Sequence, residues 1–139
     1  MIIRSKAPLR LGLAGGGTDV SPFSDIYGGC ILNATTSLYA YCDIIPTNNG
    51  EINFYLQDKN IKYAYKSQKE LPINGEIDLL KAIYNRIIKD FELDALSFDI
   101  HTFVDAPAGS GLGTSSTLVV TIIGAFSEWL GLPLGEYDI

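Results

Sequence analysis

"LSFDIHTFVDAPAGSGLGTSSTLVVTIIGAFSEWLG", residues 96–131, runs through three patterns in succession. Its first part alternates, with Leu96, Phe98, Ile100 and Thr102 on one side, which predicts a β-strand. The middle places Gly109, Gly111 and Gly113 at alternate positions and follows them with the hydroxyls of Thr114, Ser115, Ser116 and Thr117. The last part is an apolar run long enough for a buried helix despite its β-branched residues, with Gly131 as its stop. A strand, a glycine loop and a helix in that order make an anion site. Bare backbone lets N–H groups approach oxygen atoms, the helix N-terminus adds the positive end of its dipole, and the hydroxyls donate or coordinate a divalent cation. The ligand this predicts is a phosphate chain. The competing account is a tight turn with Thr114 or Ser115 as an ordinary helix cap, but a cap needs one hydroxyl and one glycine, not this density.

Two familiar phosphate motifs are excluded. A P-loop needs Gly-Lys-Ser/Thr, and no lysine follows Lys89. A dinucleotide fingerprint needs G-x-G-x-x-G in a βαβ unit, whereas the spacing here is G-x-G-x-G.

Working outward, "IDLLKAIYNRIIKDF" carries Ile77, Leu79, Leu80, Ile83, Tyr84, Ile87, Ile88 and Phe91 along one face and predicts an α-helix. "CILNATTSLYAYCDII" reads as a long strand over residues 30–45, and the turn "PTNNG" separates it from the strands "EINFYLQ" and "IKYAYK", the three together suggesting a meander. At the start of the chain, Ile2 to Arg4 and Leu9 to Ala14 read as two short strands interrupted by Pro8. "SPFSDIY" reads as a short helix over residues 21–27, capped by Ser21, with Pro22 in its first turn and "GG" as its stop. Strand runs with intervening helices indicate an α+β fold in one domain over residues 1–139. The segment "LGLPLGEYDI" reads as the lead into another element, so a longer protein is expected.

Composition narrows the partner. Of 139 residues 47% are hydrophobic, enough for one core, and the formal net charge is -6 with no basic block. Attraction to nucleic acid or an anionic membrane surface is not expected, and a small-molecule ligand is. Cys30 and Cys42 lack metal-ligand spacing and read as buried, reduced thiols. No apolar run reaches membrane-spanning length and no leader pattern is present, so the expected location is cytoplasmic.

A second glycine cluster, "LRLGLAGGGTDV", sets Gly15, Gly16 and Gly17 ahead of Thr18 and Asp19. A carboxylate beside exposed backbone suits hydrogen bonds from sugar hydroxyls, and Arg10 can neutralise Asp19 or hold an anionic group. A capping Asp and an Arg on an exposed strand face account for the same residues equally well.

Taken together, the two segments resemble the GHMP kinase superfamily of galactokinase, homoserine kinase, mevalonate kinase and phosphomevalonate kinase. The family's central motif, Pro, three variable residues and Gly-Leu-Gly-Ser-Ser-Ala-Ala, is matched by Pro107, Gly111, Leu112, Gly113 and Ser115, with Thr114 for the first Ser and Ser116 and Thr117 for the alanines. Pro8, Arg10, Leu13, Gly15, Thr18 and Asp19 follow the N-terminal galactokinase frame, but Gly16 and Gly17 stand where galactokinases carry Glu and His, which argues against galactose. The form "PLRLGLAGGGTDVSPFSDIYGG" is similar instead to the kinases of D-glycero-D-manno-heptose phosphates and, more remotely, to the kinase part of fucose salvage enzymes.

The resemblance implies a ribosomal protein S5 domain 2-like N-terminal domain, followed by a C-terminal domain, in an ATP- and Mg2+-dependent kinase of a small sugar phosphate. It implies phosphate contacts from Pro107, Gly109, Ser110, Gly111, Leu112, Gly113, Thr114, Ser115 and Ser116, with Ser115 also on Mg2+. Gly16, Gly17, Thr18 and Asp19 would hold the sugar, and Arg10 would lie near the reacting centre. The family's catalytic aspartate and its magnesium-binding Glu are expected beyond Ile139. His101 and Trp129 read as a surface and a core position, Asp105 as a solvated strand-end carboxylate or a ligand, and Ser21, Ser24 and Asp25 as caps or pocket residues. The Tyr-rich stretches read as strand packing rather than a base platform. Nothing in the sequence decides the oligomeric state.

Overall fold

The computed structural model describes residues 1–135; residues 136–139, within the stretch read as a lead into another element, lie outside the described residues. Five strands and three helices follow in the order β1 (Ile3–Ala14), α1 (Phe23–Tyr27), β2 (Leu32–Pro46), β3 (Glu51–Leu56), β4 (Ile61–Lys66), α2 (Asp78–Asp90), β5 (Phe98–Val104) and α3 (Thr114–Leu130). The strands form one mixed sheet in the order β1-β2-β5-β3-β4, in which only β3 and β5 pair in parallel. This is the α+β architecture expected, with the helices and strands largely where the periodicity puts them.

Alternation along the strands turns Ile3, Cys42, Ile44, Ile52, Phe54, Phe98 and Ile100 to one face, where they meet Leu80, Ile83, Tyr84, Ile87 and Ile88 of α2 and Ile122, Ala125 and Phe126 of α3. Phe98 is the hub of this core, with Phe54, Tyr84, Phe126 and Trp129 all within 6.3 Å of its ring. Trp129 therefore belongs to the core, as expected.

Four expectations are corrected. Ile2 to Arg4 and Leu9 to Ala14 are not two strands: β1 runs unbroken, with a register irregularity between Pro8 and Arg10. Pro8 is tolerated because β1 is an edge strand, where a missing N–H leaves no ladder bond unmade. Nor do β2, β3 and β4 form a meander, because β5 lies between β2 and β3. The short helix begins at Phe23, and Ser21 does not cap it but donates to Asp25 Oδ2. Finally, Cys42 is buried but Cys30 is exposed, in the stretch that precedes β2.

Candidate active site

β5 delivers the chain directly into the glycine loop, and the loop into α3. Gly109, Gly111 and Gly113 all take positive φ, of 82°, 75° and 68°, a conformation that L side chains rarely adopt. A Cβ built on Gly109 or Gly111 would meet nothing within 4 Å, so the loop backbone borders open space. Gly113 is itself the N-cap of α3, with no side-chain cap, and the first helical bond runs from Thr117 N to Gly113 O at 3.0 Å. Thr114 and Ser115 are thus not caps. The N–H groups of the first turn have no capping oxygen, which is the condition an anion satisfies.

The hydroxyls divide into two groups. Ser116 Oγ and Thr117 Oγ1 both donate back to Gly113 O, at 3.0 and 2.9 Å. The side chains of Thr114 and Ser115 make no hydrogen bond among the described residues, and both line a cavity of about 430 Å³. Its other walls include Leu56 and Tyr63 of the β3–β4 hairpin, Thr102 and Val104 of β5, and Ile77 and Leu80 at the start of α2. Sequence reasoning missed this cavity, since no local pattern brings the hairpin and α2 together beside the loop.

A smaller, polar cleft of about 360 Å³ lies at the end of the β1–β2 ladder. Arg10, Gly16, Gly17 and Asp19 line it together. Arg10 joins the cleft to the loop: its N–H donates to Leu112 O at 3.1 Å, and a Cβ on Gly113 would fall 3.2 Å from Arg10 Cγ. Its guanidinium donates to Asn33 Oδ1 at 3.1 Å rather than pairing with Asp19. Asn33 lines the same cleft and went unnoticed in the sequence, because only the β1–β2 register sets it opposite Gly12.

Thr18 has a different place. Its hydroxyl donates to Gly15 O at 2.7 Å and Cys30 O at 3.1 Å and accepts from Cys30 N at 3.1 Å, so it fastens the loop rather than facing the cleft. Pro107 and Ser110 form a turn through a 3.2 Å bond from Ser110 N to Pro107 O. The Asp105 carboxylate accepts from Tyr39 N at 2.8 Å, just past the Ala40–Val104 end of the β2–β5 ladder. His101 lies on the face of β5 opposite the core, stacked on Tyr55 at 4.3 Å and 3.3 Å from Gln57 Nε2. Ser21 and Asp25 satisfy one another. Among the described residues no group of three His, Cys, Asp or Glu could hold a metal ion, and no helix is long and apolar enough to cross a membrane.

This pairing of an uncapped, glycine-lined helix start with a polar cleft agrees with the family comparison. Residues 78–139 match the family model described as GHMP kinases N terminal domain. Over 99% of its length it is 56% identical to the D-glycero-alpha-D-manno-heptose 7-phosphate kinase of Campylobacter jejuni, of which it spans 40%. A crystal structure described as a D-glycero-D-manno-heptose 1-phosphate kinase from Bacteroides thetaiotaomicron superposes with a TM-score of 0.93 at 62% identity, over 99% of this chain and 45% of that one. The L-fucokinase/L-fucose-1-P guanylyltransferase of Bacteroides fragilis is 24% identical over 99% of this chain and 17% of its own length. The chain therefore spans less than half the length of each of these relatives.

Proposed function

We propose that this chain is the N-terminal part of an ATP-dependent kinase that phosphorylates the anomeric hydroxyl of D-glycero-D-manno-heptose 7-phosphate. The observation that carries the reading is the glycine loop with its uncapped helix start, flanked by one cavity on the Ser115 side and one polar cleft on the Arg10 side. A phosphate chain on the loop would have its nucleoside end in the larger cavity and its terminal phosphate toward Arg10. The sugar would occupy the cleft, its hydroxyls donating to Asp19 and the backbone of Gly16 and Gly17 shaping the floor. In the transfer a new bond forms between the sugar oxygen and the terminal phosphorus, the bond to the departing ADP oxygen breaks, and the hydroxyl proton is released.

Positioning and charge stabilisation dominate such a transfer. Arg10, held by Asn33 and by its backbone bond to Leu112, is suited to balance negative charge between the two cavities. For Mg2+ the described residues offer the Ser115 hydroxyl, which faces the larger cavity, and no group of three His, Cys, Asp or Glu side chains. Bound there, Mg2+ would neutralise phosphate charge.

The relatives' names differ in the sugar phosphate they give, so the deciding experiment is an acceptor screen on full-length enzyme. ADP release is expected with heptose 7-phosphate and not with heptose 1-phosphate or galactose; turnover with another acceptor alone refutes the substrate. Ser115→Ala should raise the KM for Mg-ATP about tenfold or more, and Asp19→Ala should raise chiefly the KM for the sugar, each matching the loss of one charge-assisted or metal-linked contact. ATP binding that is the same with and without Mg2+ would count against Ser115 as a metal ligand.

A further inference from the structure

α2 contains a lysine among its core-facing residues. Lys81 is fully buried, on the helix face that also carries Leu80, Ile83, Tyr84, Ile87 and Ile88. Its Nζ donates to Pro72 O at 2.8 Å and to Asn74 Oδ1, lies 3.3 Å from Asp78 Oδ1, and stands 5.4 Å above the Tyr65 ring. Every oxygen it reaches belongs to residues 72–78. The Asp78 carboxylate, in turn, accepts from Asn74 N at 3.1 Å and Gly75 N at 2.8 Å. One turn further along α2, the Asn85 side chain bonds both N and O of Leu71.

The segment so held is a wall of the larger cavity. Gly75, Glu76, Ile77 and Asp78 line it, facing Leu56 and Tyr63 of the hairpin. Ile77 has φ 45° and ψ 34°, a left-handed conformation that strains a β-branched residue and persists only where its surroundings impose it. Burying a lysine is itself unfavourable unless oxygen atoms receive its hydrogens, and a leucine or methionine would suit the helix core better. The lysine's contacts order the 72–78 backbone, and with it the spacing between the two cavity walls.

We propose that Lys81 is a positioning residue for the nucleotide: without touching substrate, it holds residues 72–78 where they form one side of the slot that takes the base. This rests on the reading that the larger cavity receives the nucleoside. A planar base gains contact on both faces only when the walls stand a fixed distance apart, so slackening one wall weakens nucleotide binding while leaving the sugar cleft and the phosphate loop in place.

The test uses full-length enzyme carrying Lys81→Met, with Asn74→Ala as a milder variant in an exposed loop that keeps the lysine. The dissociation constant of a non-hydrolysable ATP analogue is measured by calorimetry, and KM and kcat are measured for both substrates. The expected result is a tenfold or larger rise in the nucleotide Kd and KM for Lys81→Met and about threefold for Asn74→Ala, with sugar KM and kcat at saturation within twofold of wild type. A folded Lys81→Met with unchanged nucleotide Kd overturns the proposal. So does an equal loss in sugar KM and kcat, which marks a merely structural lysine. Should Lys81→Met not fold, an unchanged Kd in Asn74→Ala overturns it alone. Wild-type enzyme that fails to bind the analogue at all sinks the functional reading, and this proposal with it, and is distinguished by that control.

Discussion

Gly15 and Gly29 show what the first glycine cluster is for. Gly15 has φ 76°, and a Cβ there would fall 1.9 Å from Cys30 O; one on Gly29 would fall 2.4 Å from Thr18 O. The two loops therefore touch backbone to backbone, with the Thr18 hydroxyl as the fastening. Gly16, by contrast, has no atom within 4 Å of such a Cβ. Gly15→Ala is expected to destabilise the protein by about 2 kcal/mol or more, from strain and overlap combined, and to lower Tm by several degrees. Gly16→Ala should leave Tm unchanged while crowding the polar cleft. Thermal melts of the two variants side by side check this, and equal Tm values would refute it. That "GGGTD" meets something was legible in the sequence; that two of its members serve contact with residues 29–30, and only others face the cleft, was not.

At the scale of elements, β2 separates the two cysteines. Cys42 is in the middle of the strand with its side chain in the core, and burial pushes its thiol well above the usual range. Cys30 precedes the strand and is exposed. Iodoacetamide at neutral pH should label Cys30 in native protein and reach Cys42 only after unfolding, as read by peptide mass mapping; native labelling of Cys42 would contradict its burial. The periodicities of β2, α2, β5 and α3 were all readable, because a period of 2 or 3.6 is written into consecutive residues. Partner choice was not. β5 inserts between β2 and β3, parallel to the latter, since its apolar side chains need the middle of the sheet and both of its edges need hydrogen-bonding neighbours.

Over the whole molecule, surface electrostatics gives the fold an acid limit. The Asp43 carboxyl is held below its usual 3.8, first by hydrogen bonds from Arg4 at 2.7 and 2.6 Å and then, against some burial, by the Arg4 charge. For Asp78, burial opposes ionisation but is outweighed by the Gly75 and Asn74 N–H groups and Lys81. Asp94 is lowered by Lys69. A carboxylate whose folded value is depressed contributes stability that is complete above its unfolded value and is lost as pH falls through the folded one. Tm should thus decline as pH drops below about 4, and more gently in Asp43→Asn; because these groups are near the surface, each effect is small and shrinks in 1 M salt. A Tm independent of pH between 5 and 2 would overturn this.

From local order alone the chain determines a glycine-rich loop between a strand and a helix, a polar second loop near its start, and an α+β class, since each depends on residues adjacent along the chain. Tertiary structure decided the strand order, the fastening of Thr18, the Asn33 brace on Arg10 and the cavity closed by residues 72–78. Each of these joins groups far apart in sequence, and such contacts arise only when burial of the shared core brings them together.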